Sequence, residues 1–285
     1  MSKIFKEEKR QLSKFGYIHL ENVLTPQEVS RTLTGIDNLI FEHIKKNKDL
    51  HYKDNCFGKG AFRIYEALEK LDHIDFLIDH PKVFDLLLEL VGDYIQLMGS
   101  EIFIRNPHNS VAERFHTDAG SAMQKFVYQD NVPLLQLKIQ FFLTDTVTEN
   151  SGNFMCIPGT HRIPVGEFEP GCFIKECNTV LDQGVYPAHT HQFMAKAGDA
   201  VIFPWCLWHG ATHNESKNTR RSVCFRYGQL FCRPYDYFTV SKEKLEKLTS
   251  RQRRLCGDLS NNPNSFFDPS DFYKILDQPE VIRQL

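Results

Sequence analysis

The chain has 285 residues, of which 41% are hydrophobic and 12% aromatic, enough to bury a full core in one large domain over 1–285. Its 34 lysines and arginines nearly balance 36 aspartates and glutamates, and the formal charge of -2 argues against a nucleic-acid or anionic-lipid partner. The first residues mix charged with apolar side chains and no apolar run reaches spanning length, so we expect a cytoplasmic protein with reduced cysteines.

The first part of the chain, about 1–94, is predicted to be mainly helical. The Thr-Pro-Gln-Glu run at 25–28 is a typical helix start, with a capping residue, a proline at the first helical position and an acidic first turn. A second helix is predicted over about 61–78. Pro81 is expected to open a third helix, which ends at Gly92.

From about residue 95 to 235 the hydrophobic pattern changes to that of short β-strands. Turn residues bound each of several runs rich in Ile, Val, Phe and Tyr, namely IQLMGSEIFIRN, LLQLKIQFFLTD, NFMCIPG, DAVIFPWCLWHG and RRSVCFRYGQLF. Such a series favours a double-sheet barrel or sandwich. The run SKEKLEKL then predicts a helical tail over about 236–285, so we expect a mainly β fold with helical flanks.

Two His-x-Asp pairs occur in the sequence, His73 with Asp75 and His116 with Asp118. The first pair lies in the stretch predicted to be helical, where residues two apart point to different sides and cannot bind one metal ion together. The second pair lies in the β-rich region, where residues i and i+2 share a face and both side chains can reach one ion. The second pair is therefore the candidate metal site.

A facial non-haem iron site requires one more histidine beside such a pair. His209 ends the run DAVIFPWCLWHG and is the candidate, because a neighbouring strand could supply it. The histidines at 161, 189, 191 and 213 lie in loop-like sequence and are alternatives, although a loop histidine is more often a surface residue. A packed or surface histidine also remains an alternative for His209.

Arg220 opens the next predicted strand. Alternation along that strand places Arg220 and Ser222 on one face, with Arg221 and Val223 on the other. A guanidinium beside a hydroxyl suits the distal carboxylate of a dicarboxylate such as 2-oxoglutarate, which a planar fork binds through two hydrogen bonds. The alternative is that Arg220 and Arg221 are two solvated cations at a strand start.

Several blocks between about residues 99 and 227 together resemble the phytanoyl-CoA dioxygenase family of iron- and 2-oxoglutarate-dependent oxygenases. They are FHTD, LTDTVTENSGNFMCIPGTHR, AGDAVIF, WHGATHN and TRRS. The resemblance implies a double-stranded β-helix core, the jelly roll of the cupins. It also implies Fe(II) held by His116, Asp118 and His209, with 2-oxoglutarate and O2 as co-substrates. TVTENSG has one residue more than the usual family motif.

The resemblance also implies roles for strand residues around the co-substrate. It places the carboxylate of 2-oxoglutarate on Arg220 with Ser222 nearby. Gln140 falls where the family often has a residue facing the co-substrate, and Lys138 shares its face. Ordinary polar strand positions are the alternative reading for Gln140 and Lys138.

The expected reaction is hydroxylation of an unactivated carbon. Relatives that transfer halide have a small residue where this chain has Asp118, and a carboxylate there fills the coordination position that chloride would take. The chain is also similar to enzymes that tailor cyanobacterial alkaloid toxins such as cylindrospermopsin, which implies a secondary metabolite as substrate. Side chains near the motifs that would suit a small polar ring system are Phe103, Phe115, Gln124, Trp208 and Arg233.

Other functions remain open at this point. Relatives in the family act on acyl-CoA or on amino acids, and either substrate class would use the same motifs. A cupin-like metal-binding protein without oxygenase activity would also have histidines on a β core, but would not need Arg220. A nucleic-acid demethylase is disfavoured by the balanced charge and the lack of a basic stripe. We expect a small-molecule substrate and no nucleic-acid or membrane partner.

Overall fold

The computed structural model describes residues 5–46, 60–108, 110–118, 123, 125–165, 173–234 and 238–258. The strands are β1 (Ile18–Leu20), β2 (Ala61–Tyr65), β3 (Ile95–Arg105), β4 (Glu113–His116), β5 (Gln136–Phe142), β6 (Phe154–Cys156), β7 (His191–Gln192), β8 (Ala200–Pro204), β9 (His209–Ala211) and β10 (Arg220–Gln229). The helices are α1 (Lys6–Phe15), α2 (Pro26–Lys46), α3 (Ala67–Lys70), α4 (Phe84–Val91), α5 (Phe173–Asp182), α6 (Lys242–Leu245) and α7 (Ser250–Leu255).

Two antiparallel sheets form the centre of the fold. The six-stranded sheet has the order β1-β8-β5-β10-β3-β2, and the four-stranded sheet has the order β4-β9-β6-β7. Buried side chains from both sheets pack between them, including Phe142, Phe154 and Phe203. Two facing antiparallel sheets with helical flanks confirm the mainly β, jelly-roll fold expected from the sequence. No helix in the described part of the chain is long and apolar enough to cross a bilayer.

Each of the five sequence runs predicted to form β-strands contains at least part of a strand in the structure. β3 begins at the predicted change of pattern, and β10 covers most of the run that begins at Arg220. The run DAVIFPWCLWHG divides into β8 and the start of β9. These two strands are consecutive in the sequence but belong to different sheets. This division is what brings His209 to the smaller sheet.

Two of the predicted helices are confirmed. Thr25 and Glu28 cap α2 reciprocally: the Thr25 hydroxyl accepts from the Glu28 N–H at 3.2 Å, and the Glu28 carboxylate accepts from the Thr25 N–H at 2.7 Å. α4 ends before Gly92, whose φ of +98° favours glycine. It begins three residues after Pro81.

The helix predicted over about 61–78 is wrong. Ala61–Tyr65 is β2, which pairs antiparallel with β3 along its whole length, and the short α3 and one 3-10 turn, Asp75–Leu77, follow it. His73 lies in an exposed turn rather than on a helix, and Asp75 is bound by Lys244 at 2.8 Å. The helix α5 was not predicted. The C-terminal helical prediction holds for α6 and α7, while 259–285 lies outside the described residues.

Candidate metal centre

His116 and His209 come together because strands β4 and β9 pair. The two residues are directly opposed in the antiparallel register, and their ring centroids lie 4.3 Å apart. The Nδ1 atom of His116 is 2.9 Å from the Arg114 carbonyl, and that of His209 is 2.8 Å from the Leu207 carbonyl. Because a carbonyl only accepts, each Nδ1 carries the proton and each Nε2 has its lone pair available to bind a metal.

Asp118 follows β4 and lies beside the two histidines. Its backbone N–H donates to the Trp205 carbonyl at 2.8 Å, which ties the segment after β4 to the loop between β8 and β9. Its Oδ2 atom is 3.8 Å from His209 Nε2 and has no hydrogen-bond partner among the described residues. One ligand atom each from His116, Asp118 and His209 lies within 4.8 Å of the others, which suits a single metal ion.

The other oxygen of Asp118 is bound by two cations. Oδ1 accepts from Lys138 Nζ at 2.6 Å and from Arg226 at 3.1 Å. Burial disfavours the charged carboxylate, but Arg226 and Lys138 outweigh it and hold the pKa of Asp118 well below its ordinary value. The structure therefore places Lys138, which was expected to face the co-substrate, in contact with the carboxylate of Asp118.

His209 is held in the protonation state that a ligand needs. It is 5% exposed, and burial is the main cause that lowers its pKa to about 3. The ring is therefore neutral at physiological pH, as a metal-binding imidazole must be.

A narrow cavity is lined by the two histidines and by Arg220. Phe103 and Gln140 line it as well, and Gln140 donates to the Ser222 hydroxyl at 3.2 Å. Arg220 is 3% exposed, and no described residue forms a hydrogen bond or ion pair with its guanidinium. Burial, followed by the nearby Arg105, lowers the pKa of Arg220 to about 9, so it remains a cation at neutral pH. A buried cation without an anionic partner is expected to bind an anion from outside the chain.

Arg221 has the opposite environment on the same strand. It is half-buried and forms an ion pair with Asp37 at 2.9 Å, outside the cavity. The alternation of side chains along β10 therefore places Arg220, and not Arg221, in the cavity.

A group of charged residues on the cavity wall was missed in the sequence. Glu113 on β4 is 3.5 Å from Arg63 and 3.4 Å from Arg105, and both Glu113 and Arg63 line the cavity. Burial opposes ionisation of Glu113, but neighbouring charges that include Arg105 and Arg63 lower its pKa to about 2. Glu101, Phe103 and Arg105 share one face of β3, a period-two signal that could have indicated part of this wall.

The residues suggested for substrate binding are found in different places. Phe103 lines the cavity, and the guanidinium of Arg63 lies 4.6 Å from its ring. Phe115 and Trp208 are buried in a cluster with Met155, Val165 and Leu181, and neither lines the cavity. Arg233 is exposed after the end of β10. Gln124 lies outside the described residues.

Comparisons with known proteins show which family the sequence matches. The family model described as phytanoyl-CoA dioxygenase (PhyH) matches residues 12–222. The chain is 25% identical over 243 residues to a probable alpha-ketoglutarate-dependent hypophosphite dioxygenase of Stutzerimonas stutzeri, covering 79% of this chain and 78% of the relative. It is 21% identical over 231 residues to the ectoine dioxygenase of Nocardia farcinica, covering 75% of each chain.

Solved structures show the same fold. HygX from Streptomyces hygroscopicus, solved with nickel and 2-oxoglutarate bound, matches with a TM-score of 0.64 and 15% identity, over 81% of this chain and 89% of HygX. SnoN, described as a non-heme alpha ketoglutarate dependent epimerase from nogalamycin biosynthesis, matches with a TM-score of 0.59 and 20% identity, over 79% of this chain and 80% of SnoN.

Proposed function

We propose, from the premise that this chain belongs to the phytanoyl-CoA dioxygenase family, that it hydroxylates an unactivated carbon of a small molecule. Membership makes the chain a dioxygenase that uses iron, 2-oxoglutarate and O2. The proposal assigns the iron to His116, Asp118 and His209, and the distal carboxylate of 2-oxoglutarate to Arg220.

The unpartnered Oδ2 atom of Asp118 carries the assignment of the metal. A buried carboxylate oxygen without a hydrogen-bond donor costs free energy unless another group binds it. One ligand atom from each imidazole lies within 4.8 Å of the other and of an Asp118 oxygen, and the Nδ1 atoms of both rings are already satisfied by backbone carbonyls. Two imidazoles and one carboxylate form the facial set of a non-haem iron, which leaves positions for the co-substrate and O2.

The chain's own residues bind and enclose the co-substrate. Arg220 lines the same cavity as the two histidines, and its Nε atom, which has no hydrogen-bond partner among the described residues, is available to a carboxylate of the dicarboxylate. Gln140 lines this cavity as well and donates to the Ser222 hydroxyl. Phe103, Phe154 and Phe203 make part of the wall apolar and exclude water. The iron, when bound, supplies the oxygen chemistry that side chains cannot perform.

We further propose a secondary metabolite as the substrate, such as an alkaloid of the cylindrospermopsin type. Support comes from structural neighbours described with natural products: HygX has been solved with hygromycin B bound, and SnoN comes from nogalamycin biosynthesis. The relatives that act on hypophosphite and ectoine support a small inorganic or amino-acid-derived substrate as the alternative. An acyl-CoA substrate is a further alternative within the family.

Succinate release from a substrate panel tests the proposal. The purified chain, loaded with Fe(II) without air and then mixed with 2-oxoglutarate and O2, should release succinate with the correct substrate and give a product about 16 mass units heavier, the mass of one oxygen atom. The panel should include cylindrospermopsin-type alkaloids, ectoine-like solutes, hypophosphite and acyl-CoA. His209→Ala should be inactive.

His73→Asn is the matched control, because His73 belongs to the other His-x-Asp pair and is exposed. It should be as active as the wild type. A wild type that binds iron but never consumes 2-oxoglutarate, with or without substrate, would instead support the non-catalytic cupin-like protein.

A further inference from the structure

The two oxygens of Asp118 have different surroundings. Lys138 on β5 and Arg226 on β10 are directly opposed in the register of the two strands, and both side chains bind Oδ1. Oδ2 faces His209 and has no donor among the described residues. The larger sheet therefore binds one oxygen of the carboxylate, and the other is presented to the smaller sheet, which supplies both histidines.

All three side chains of this group are buried. Asp118 is 7% exposed, Lys138 4% and Arg226 6%. Removing two cations from water to bind a single carboxylate is costly, and a packed apolar group would often stabilise the fold as well or better. Glu101 on β3 is also buried beside both cations, and Arg63 lies 3.4 Å from Glu101. Glu101 is therefore a second buried anion that interacts electrostatically with both cations.

We propose that Lys138 and Arg226 are positioning residues that form a two-cation clamp on Oδ1, so that Asp118 offers only Oδ2 to the metal. The proposal rests on the proposed function, because it assumes that the metal binds at Asp118. It differs from a role for Lys138 in binding 2-oxoglutarate, since Lys138 already contacts Asp118 and the unpaired cation of the cavity is Arg220.

If the clamp exists, replacing Asp118 with glycine should leave an anion-binding site between Lys138 and Arg226. In Asp118→Gly, Lys138 and Arg226 should still point into the space that the carboxylate vacates. Two cations in that position form a binding site for a small carboxylate such as formate. A formate held there places its second oxygen where Oδ2 was, beside the two histidines.

Fe(II) binding measured without air tests this directly. Asp118→Gly should bind Fe(II) at least about tenfold more weakly than the wild type, and formate should recover about tenfold. The recovery should disappear in Asp118→Gly/Lys138→Met and in Asp118→Gly/Arg226→Met. It should persist in Asp118→Gly/Arg226→Lys, which keeps the charge. It should also persist in Asp118→Gly/Arg221→Met, because Arg221 lies on the other face of β10 and pairs with Asp37.

Two outcomes of this titration overturn the clamp. Either formate fails to restore Fe(II) binding in Asp118→Gly, or it restores binding equally when Lys138 or Arg226 is replaced. A wild type that does not bind Fe(II) contradicts the proposed function instead. In that case the clamp is tested on the metal-free protein, where formate should raise the Tm of Asp118→Gly and not that of Asp118→Gly/Lys138→Met; equal shifts overturn it.

A spectroscopic measurement covers the case in which Asp118→Gly does not fold. Fe(II) chelated by 2-oxoglutarate absorbs visible light through charge transfer from the metal. Lys138→Met and Arg226→Met should move this band to longer wavelength, because a carboxylate that has lost a cation donates more charge to the metal. Lys138→Arg should leave the band in place. An unchanged band in both methionine variants, or a raised Kd for 2-oxoglutarate as the only effect of Lys138→Met, overturns the clamp.

Discussion

Gly152 packs directly against Arg220: a Cβ atom at Gly152 would lie 3.2 Å from the Cβ of Arg220. The φ of Gly152 is +76°, a conformation that other residues adopt at a cost of about 1–2 kcal/mol. Gly152→Ala should therefore lower the free energy of unfolding by about that amount and displace Arg220, raising the Kd for 2-oxoglutarate roughly threefold to tenfold.

Gly184→Ala separates these two effects. Gly184 has a φ of +81°, and a Cβ atom added there would meet nothing within 4 Å, so it shares the backbone strain without the contact. Its variant should lose similar stability and bind 2-oxoglutarate like the wild type. Equal co-substrate affinity in both variants, measured by calorimetry, would contradict the role given to the contact between Gly152 and Arg220.

Arg220→Ala should weaken 2-oxoglutarate binding far more than Arg221→Ala. Loss of one partner of a buried charge pair costs about 2–5 kcal/mol, which is at least about thirtyfold in Kd. Arg221 pairs with Asp37 outside the cavity, and its replacement should leave the Kd within about twofold. Substrate affinity should change less than co-substrate affinity in Arg220→Ala. A larger defect in Arg221→Ala would show that the facing of β10 is reversed.

The buried His161 should make the free energy of unfolding depend on pH. It is fully buried, and burial, followed by the charge of Arg162, lowers its pKa to about 4. The unfolded chain takes up the proton near pH 6.5 and the folded chain only near pH 4, so stability falls as the pH falls through this window. The contribution lost is at most about 3 kcal/mol.

Denaturant unfolding of the wild type and His161→Gln at pH 7, 6 and 5 measures this contribution. His161→Gln cannot be protonated, so its stability should fall less steeply than that of the wild type between pH 7 and 5. Other titrating groups are common to both proteins and cancel in the comparison. Parallel pH profiles would mean that His161 takes up its proton equally in the folded and unfolded chains.

Asp118 should decide between hydroxylation and halide transfer. Asp118→Gly vacates a coordination position next to Lys138 and Arg226, which favours chloride there. Halide transfer also requires the substrate radical to lie closer to chloride than to the hydroxyl, and the pocket sets that position. We therefore expect Asp118→Gly to lose most hydroxylation and to form little or no chlorinated product. Chlorinated product from the wild type, found by mass spectrometry in excess chloride, would contradict Asp118 as an iron ligand.

The sequence was sufficient where a local pattern determines the structure. The alternation of Arg220 with Arg221 follows from the two-residue period of a strand. Asp118, by contrast, lies after the end of β4 and reaches His116 through the turn rather than through that period. The sequence failed at Ala61–Tyr65, where a helical pattern was predicted but pairing with β3 forms a strand. Such pairing joins residues far apart in the chain and overrides local preference.

The contacts of Lys138 could not be predicted for the same reason. Alternation along β5 predicts that Lys138 and Gln140 share one face. It does not predict which groups lie opposite them. The register of β5 with β10 sets Lys138 against Arg226, and the turn after β4 brings Asp118 to both. Phe115 was suggested for the pocket because it adjoins His116, yet adjacent strand residues face opposite sides, and Phe115 packs with Trp208.

Binding of Fe(II) to the metal-free chain without air tests the central claim most directly. Calorimetry should find one Fe(II) bound per wild-type chain and an equal affinity in His73→Asn. Loss of a residue that only supports a metal ligand weakens metal binding by roughly 10–100-fold. His116→Ala and His209→Ala should weaken Fe(II) binding by more than this, while circular dichroism shows that they remain folded. Binding of Fe(II) by His209→Ala with wild-type affinity would contradict the assignment of His116, Asp118 and His209 as the metal centre.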